Sequence, residues 1–264
     1  MTTFRALVVS AHPDDIEFAC AGTVAAWVDA GAEVTYCIVT DGSTGTQDRS
    51  LMGGGLSEVR KKESQRAADI VGAKEIVWLD YRDGYVEYSL DLRRDIARVF
   101  RGSRPHRYLV MDPSSTVGGW FVNHPDHRAI GQASMDVTLT AGTTPGHFPE
   151  LLDEGFEPWR GLRELWIMGP GPRSRIVDIS AQIDRKIEAL LCHASQIGDP
   201  DETARFVRTF TSEQGKEHGF AHAESFEVLN RGPGFHNEDV PDDVDVDLAI
   251  PPIDPRSAPS RPQT

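Results

Sequence analysis

At 264 residues, with 39% apolar and 26% charged residues, the chain can bury a sizeable core and has the composition of a soluble globular protein. Its formal net charge of -14 excludes a general nucleic-acid or anionic-membrane binder, because such proteins need a basic face. Cys20, Cys37 and Cys192 lie far apart with no Cys-x-x-Cys pair, which excludes a disulfide framework and fits a reducing compartment. There is no basic segment followed by a long apolar run at the N-terminus, and no stretch approaches a membrane span. A cytoplasmic location is therefore expected.

Residues 5–10 (RALVVS) read as a strand buried on both faces, leading straight into His12-Pro13-Asp14-Asp15. One helix is expected over residues 16–30, closed by Gly31, with Asp14 and Glu17 at the spacing of a capping box. Residues 33–40 (EVTYCIVT) form a second strand, followed by a loop rich in Gly, Ser and Thr and a charged helix over residues 57–71. A third strand (75–79), a helix (90–100) and a fourth strand (107–111) lead to the loop holding Trp120 and the stretch Asn123-His124-Pro125-Asp126-His127. A helix over residues 126–140 follows, with Asp126 as its cap. Two more strands (163–168 and 176–179) and two helices (181–195 and 202–217) complete the folded part.

Strands and helices alternating in short units imply a Rossmann-like three-layer αβα sandwich with a mainly parallel sheet. Residues 1–231 are expected to form a single domain. Residues 232–264 are rich in Pro and Asp without apolar periodicity, and read as an extension or tail. In such sheets sites form beyond the C-terminal strand ends, and both His-Pro-Asp stretches fall there.

The pattern of residue types points to metal chemistry. Two imidazoles and a carboxylate, His12, Asp15 and His127, have the make-up of a catalytic zinc site whose fourth position holds water. Asp14, next to a ligand but pointing elsewhere, suits the base that deprotonates that water. His124, with Asp126 two residues on to fix its tautomer and favour the imidazolium, suits an oxyanion partner or an acid. Asp14 or Asp126 alone would more simply be a helix cap. The convergence of all these groups on two strand ends of one sheet is what a purely structural account does not predict.

These stretches carry a resemblance. AHPDDIEFACAGT and NHPDHRAIG, and more weakly VRKKESQRAAD, YRDG, HASQ and AESF, resemble the PIG-L/LmbE-type zinc-dependent N-deacetylases over most of the chain up to about residue 230. The resemblance implies His12, Asp15 and His127 as ligands of one Zn2+ per chain (Fe2+ being the alternative in the cell), Asp14 as base, and His124 held by Asp126 as acid or electrophile. It implies a water activated at the metal attacking the acetamide of an N-acetylglucosamine-type sugar, with release of acetate. It also favours Arg60 reaching the substrate. An acid at the Ser43 or Thr44 position, which members often carry to hold the sugar, is absent.

Asp83, in a turn after the third strand, offers a carboxylate to sugar hydroxyls, or simply shapes the turn. Trp120 and Phe121 offer a stacking face, or pack the core. Arg60 and Glu63 are spaced for a solvated ion pair, and His193 for a satisfied core histidine. Gly53-Gly54-Gly55 lacks the Lys-Ser/Thr of a P-loop and reads as a lid at the pocket mouth. The competing functions are an amidase cleaving a larger acyl group from a glucosaminyl conjugate, a non-catalytic ligand- or nucleotide-binding α/β module, and an inactive family fold. The expected partner is a small amino-sugar substrate, with no nucleic acid and no membrane span, and with homo-oligomerisation left open.

Overall fold

The two apolar runs at the start of the chain form β1 (Arg5–Ser10) and β2 (Glu33–Thr40), both buried nearly throughout. That is the burial expected of strands covered by helices on each face. The computed structural model describes residues 3–52, 54–114, 116–118 and 121–230, so Trp120, Gly53 and the expected C-terminal extension lie outside the described residues. The other strands are β3 (Glu75–Tyr81), β4 (Arg107–Val110), the short hairpin β5 (Val117–Gly118) and β6 (Phe121–Val122), β7 (Glu164–Met168), β8 (Ser174–Asp178) and β9 (Ala223–Asn230). The helices are α1 (Asp15–Ala19), α2 (Ala21–Asp29), α3 (Gly55–Val71), α4 (Leu90–Ser103), α5 (Pro125–Val137), α6 (Glu150–Asp153), α7 (Ile183–Leu191) and α8 (Pro200–Lys216). None of them is long and apolar enough to cross a membrane.

Three differences from the sequence reading matter. The single helix expected over residues 16–30 is broken at Cys20, whose φ of -148° divides α1 from α2. The capping box at its start does not form, since Asp14 makes no side-chain cap bond. The last strand, β9, was not expected, and it enters the sheet antiparallel between β7 and β8.

One seven-stranded sheet results, in the order β3-β2-β1-β4-β7-β9-β8, with β1, β2, β3, β4 and β7 parallel. Helices cover both faces. Alternate residues of β1 serve the two cores: Ala6 and Val8 pack with Trp27 and Trp166, Leu7 and Val9 with Phe100, Tyr108 and Ile130. From β1 the chain moves outward to β2 and β3, then returns to place β4 on the other side of β1. The crevice beyond β1 and β4 is therefore the point where strand order reverses, the usual ligand position in an open parallel sheet.

Two local contacts fix the geometry there. A Cβ at Gly131 would lie 2.6 Å from the Met111 carbonyl oxygen, so glycine allows α5 to pack tightly against the chain leaving β4. At the opposite end of the same strand pair, the Arg5 backbone N–H donates to Nδ1 of buried His106 at 3.0 Å, which joins β1 to β4.

Burial and the nearby Arg5 and Arg163 lower the His106 pKa to about 4. The unfolded chain takes up this proton near pH 6.5, the folded chain only near pH 4, so the unfolded state binds more protons between these values. The stability contributed by His106 is thus full above pH 6.5 and falls as pH drops to 4, by about 3 kcal/mol. His106→Gln, which keeps an acceptor for Arg5, should differ from the wild type less at pH 4.5 than at pH 7.5 in urea denaturation. A pH-independent difference would contradict this assignment.

Candidate metal centre

The first His-Pro-Asp stretch turns immediately after β1. The Asp15 carboxylate accepts the His12 backbone N–H at 2.7 Å, which fixes its position relative to the strand end. Asp14 occupies the left-handed region with φ 101°, a conformation that L side chains rarely adopt and that tends to concentrate at functional sites. The turn therefore splits the two carboxylates. Asp15 faces the His12 ring, while Asp14 Oδ2 accepts from Arg60 Nη2 at 3.1 Å.

The second stretch opens α5. Pro125 sits in its first turn, where a missing N–H is harmless, and the His124 side chain caps the helix by accepting the Asp126 backbone N–H at 3.2 Å. This brings His127 across the crevice to His12 and Asp15. His12 Nδ1 lies 3.2 Å from His127 Nε2 and 3.4 Å from Asp15 Oδ2, and His127 Nε2 lies 3.3 Å from Asp15 Oδ1. The other ring nitrogen of His127 lies 3.1 Å from the Asn123 side-chain oxygen. That oxygen can only accept, so the proton sits on Nδ1 and the Nε2 lone pair faces the triangle. Two nitrogens and a carboxylate at nearly equal separations suit a divalent metal. A second group, His12, Asp83 and His124, shares His12 and lies on the other side of its ring.

On that side, His12 Nε2 is 3.2 Å from Asp83 and 3.3 Å from Asp126. Asp126 was expected to hold His124 and to cap the helix. Its carboxylate does neither, being 4.0 Å from His124 Nδ1 and buried against His12 and the backbone N–H groups of Gly84 and Val86. In the first turn of α5 the residue two positions on points inward, towards the sheet crevice. The surroundings of His124 disfavour the expected imidazolium. Burial and nearby His12 lower its pKa, and its Nδ1 lone pair accepts the Asp126 amide, leaving the proton on Nε2.

The electrostatics centre on His12. Burial alone would lower its pKa, but hydrogen bonds to Asp126, Asp15 and Asp83 push it up to about 12. Burial would raise Asp15, yet His127 and His12 hold it well below the usual carboxylate range. Asp14 moves the other way, raised to about 7 by burial and by Asp15. A pKa near neutrality suits a general base.

The expected substrate contacts fare differently. Arg60, expected to reach substrate, is 3% exposed, and it donates to the carbonyls of Pro13 and Gly42 and to Asp14, so it braces the turn. Glu63 does not pair with it; it accepts from the Ser195 backbone N–H and hydroxyl. Asp83 is buried between His12 and the Thr44 amide and is not free for sugar hydroxyls. His193 is a core histidine, 3.1 Å from Glu17. A pocket of about 490 Å³ is lined by Asp41, Ser43, Thr44, Thr46, Met52, Gly54 and Arg82, of which Thr44 donates its backbone N–H to Asp83. Asn123 was missed as a site residue, although its position four residues before His127 at a helix start is a readable signal.

Residues 7–138 match the PIG-L family, described as GlcNAc-PI de-N-acetylase. The chain is 31% identical over 229 residues to a diacetylchitobiose deacetylase of Thermococcus kodakarensis, covering 85% of this chain and 83% of that protein. It is 28% identical over 238 residues to a probable N-acetyl-alpha-D-glucosaminyl L-malate deacetylase 2 of Bacillus anthracis, covering 86% and 92%. Its structure is similar to that of N,N'-diacetylchitobiose deacetylase from Pyrococcus horikoshii complexed with its inhibitor MPG. That likeness has a TM-score of 0.78 and 31% identity, over 86% of this chain and 84% of the other.

Removing the group that fixes the His127 tautomer should weaken metal binding without unfolding the protein. Asn123→Ala is expected to raise the metal dissociation constant about 10–100-fold in competition titrations with a chelating dye. An unchanged constant would mean that Asn123 does not orient His127.

Proposed function

The chain belongs to the PIG-L family, and from that premise we propose that it is a zinc-dependent hydrolase. It removes the N-acetyl group from an N-acetylglucosamine-containing sugar or glycoconjugate and releases acetate. The observation that carries this reading is the convergence of His12 Nδ1, His127 Nε2 and the Asp15 carboxylate, whose two oxygens lie 3.4 and 3.3 Å from the two nitrogens, themselves 3.2 Å apart.

When bound, the ion supplies a water that ionises near neutral pH and a Lewis acid beside the amide carbonyl. The chain's own residues do the rest. Asp14 takes the proton of the attacking water while Arg60 keeps its carboxylate aimed at the site. The neutral His124 imidazole donates from Nε2 to the oxyanion that develops as the water oxygen bonds to the carbonyl carbon. Asp14 then returns the proton to the amide nitrogen as the C–N bond breaks, giving acetate and the free amine. Asp126 acts on His12, accepting from its outer nitrogen and so orienting the ring.

Asp41, Ser43, Thr44 and Thr46, which line a nearby pocket, offer polar groups to sugar hydroxyls. Relatives that act on diacetylchitobiose and on a glucosaminyl malate support an acetamido sugar as the reacting unit.

The zinc-loaded protein should release acetate and a primary amine in equal amounts from members of a panel of N-acetylglucosaminides. Asp14→Asn tolerates the left-handed backbone and keeps an acceptor for Arg60. It should retain zinc and lose about 10²–10⁴-fold in kcat. Full activity in this variant would refute Asp14 as the base, and no acetate from any acetamido sugar would refute the deacetylase reading.

A further inference from the structure

Beneath the metal-binding stretch lies a buried charged network that the reaction does not use. In a continuous helix over residues 15–29, the carbonyls of Glu17 and Phe18 would accept from the amides of Ala21 and Gly22, and that of Ala19 from Thr23. The break at Cys20 separates these groups; residues 16–28 contain no proline, and their one glycine, Gly22, weakens the helix there but leaves these groups to be satisfied from elsewhere.

Two distant side chains take over their hydrogen bonds. Lys186 of α7 donates from Nζ to the Glu17 carbonyl at 2.8 Å and to the Phe18 carbonyl at 2.7 Å. Glu224 of β9 accepts the Gly22 amide at 3.1 Å and the Thr23 amide at 2.8 Å. The two side chains then bond to each other at 2.8 Å. Lys186 is 1% exposed and Glu224 2% exposed. A third contact, Glu17 with His193 at 3.1 Å, holds the same helix from the side.

An ion pair this buried is poor evidence of added stability, because desolvation offsets much of the attraction; fixing one conformation is a better-attested role. Here the fixed conformation is the end of α1, the five-residue helix that begins at Asp15 itself and follows directly on Asp14. A healed helix would turn α1 onto the axis of α2 and carry both carboxylates with it.

We propose that Lys186 and Glu224 are positioning residues that splice the helix break at Cys20 and so hold Asp14 and Asp15 in the geometry of the metal centre. This rests on the metal-centre reading given above. The central variant is the double substitution Lys186→Met/Glu224→Gln, which removes both charges together and leaves no lone buried ion. Loaded with Co2+, it should bind the ion about 10–100-fold more weakly and show an altered visible absorption band, with kcat reduced more than KM. A folded double variant with the wild-type Co2+ spectrum and affinity would overturn the proposal.

Hydrogen exchange on the wild-type chain tests it without any substitution. Coupling is reciprocal, so Zn2+ loading should slow exchange at the Gly22 and Thr23 amides. Equal rates with and without Zn2+ would likewise overturn it. If acetate release fails while these metal readouts hold, the deacetylase reading falls and the positioning role stands.

Discussion

Three carboxylates, Asp15, Asp83 and Asp126, converge on one buried imidazole, His12, at 3.4, 3.2 and 3.3 Å. So much negative charge in so little solvent is unfavourable unless a cation sits among it. These carboxylates push the His12 pKa up to about 12, and a divalent ion on its inner face would serve the same electrostatic need in place of a proton. Much else in the site follows from supporting that concentration of charge. The amides of Gly84, Val86 and Thr44 satisfy Asp126 and Asp83, Asn123 turns His127, and Arg60 braces Asp14.

The fold makes the convergence possible by delivering it from two directions. His12 and Asp15 leave β1 towards one face of the sheet, and His127 arrives on α5 after β4. Because β1 and β4 are neighbours at the point where strand order reverses, the helices that follow them pack on opposite faces of the sheet and leave a crevice between them. The tight approach of Gly131 to the Met111 carbonyl seats α5 against the chain leaving β4, and the His106 link joins the two strands at their other end. The separation of functions between Asp14 and Asp15 comes from a single left-handed residue. Adjacent carboxylates in a regular helix would point only about 100° apart and could not be held by such different partners.

Much of this was legible in the sequence. The bounds of β1 and β2 could be read from continuous apolar runs, and the convergence of His12, Asp15 and His127 from residue type and position after strands. What was not legible shares one cause, the action of side chains remote in sequence. The apolar stretch through Cys20 gives no local sign of a break beyond Gly22, because the side chains that bond across it lie at Lys186 and Glu224. Strand β9 was obscured by its glutamates, one of which, Glu224, is buried for that purpose and disturbs the alternation of polar and apolar residues. Asp126 was assigned to His124 on sequence proximity, while the first turn of α5 points it at a histidine 114 residues away. For Arg60 the resemblance favours a substrate contact, and its own helix gives no sign of its carbonyl and carboxylate partners, which come from two other loops.

The central claim is that the inner face of His12, with Asp15 and His127, holds one divalent ion. Anomalous diffraction at the zinc edge from crystals of the zinc-loaded protein tests it most directly. A single strong peak about 2.0–2.1 Å from a nitrogen of His12, a nitrogen of His127 and an Asp15 oxygen is predicted. A peak instead among His12, Asp83 and His124, or none within the crevice, would contradict it.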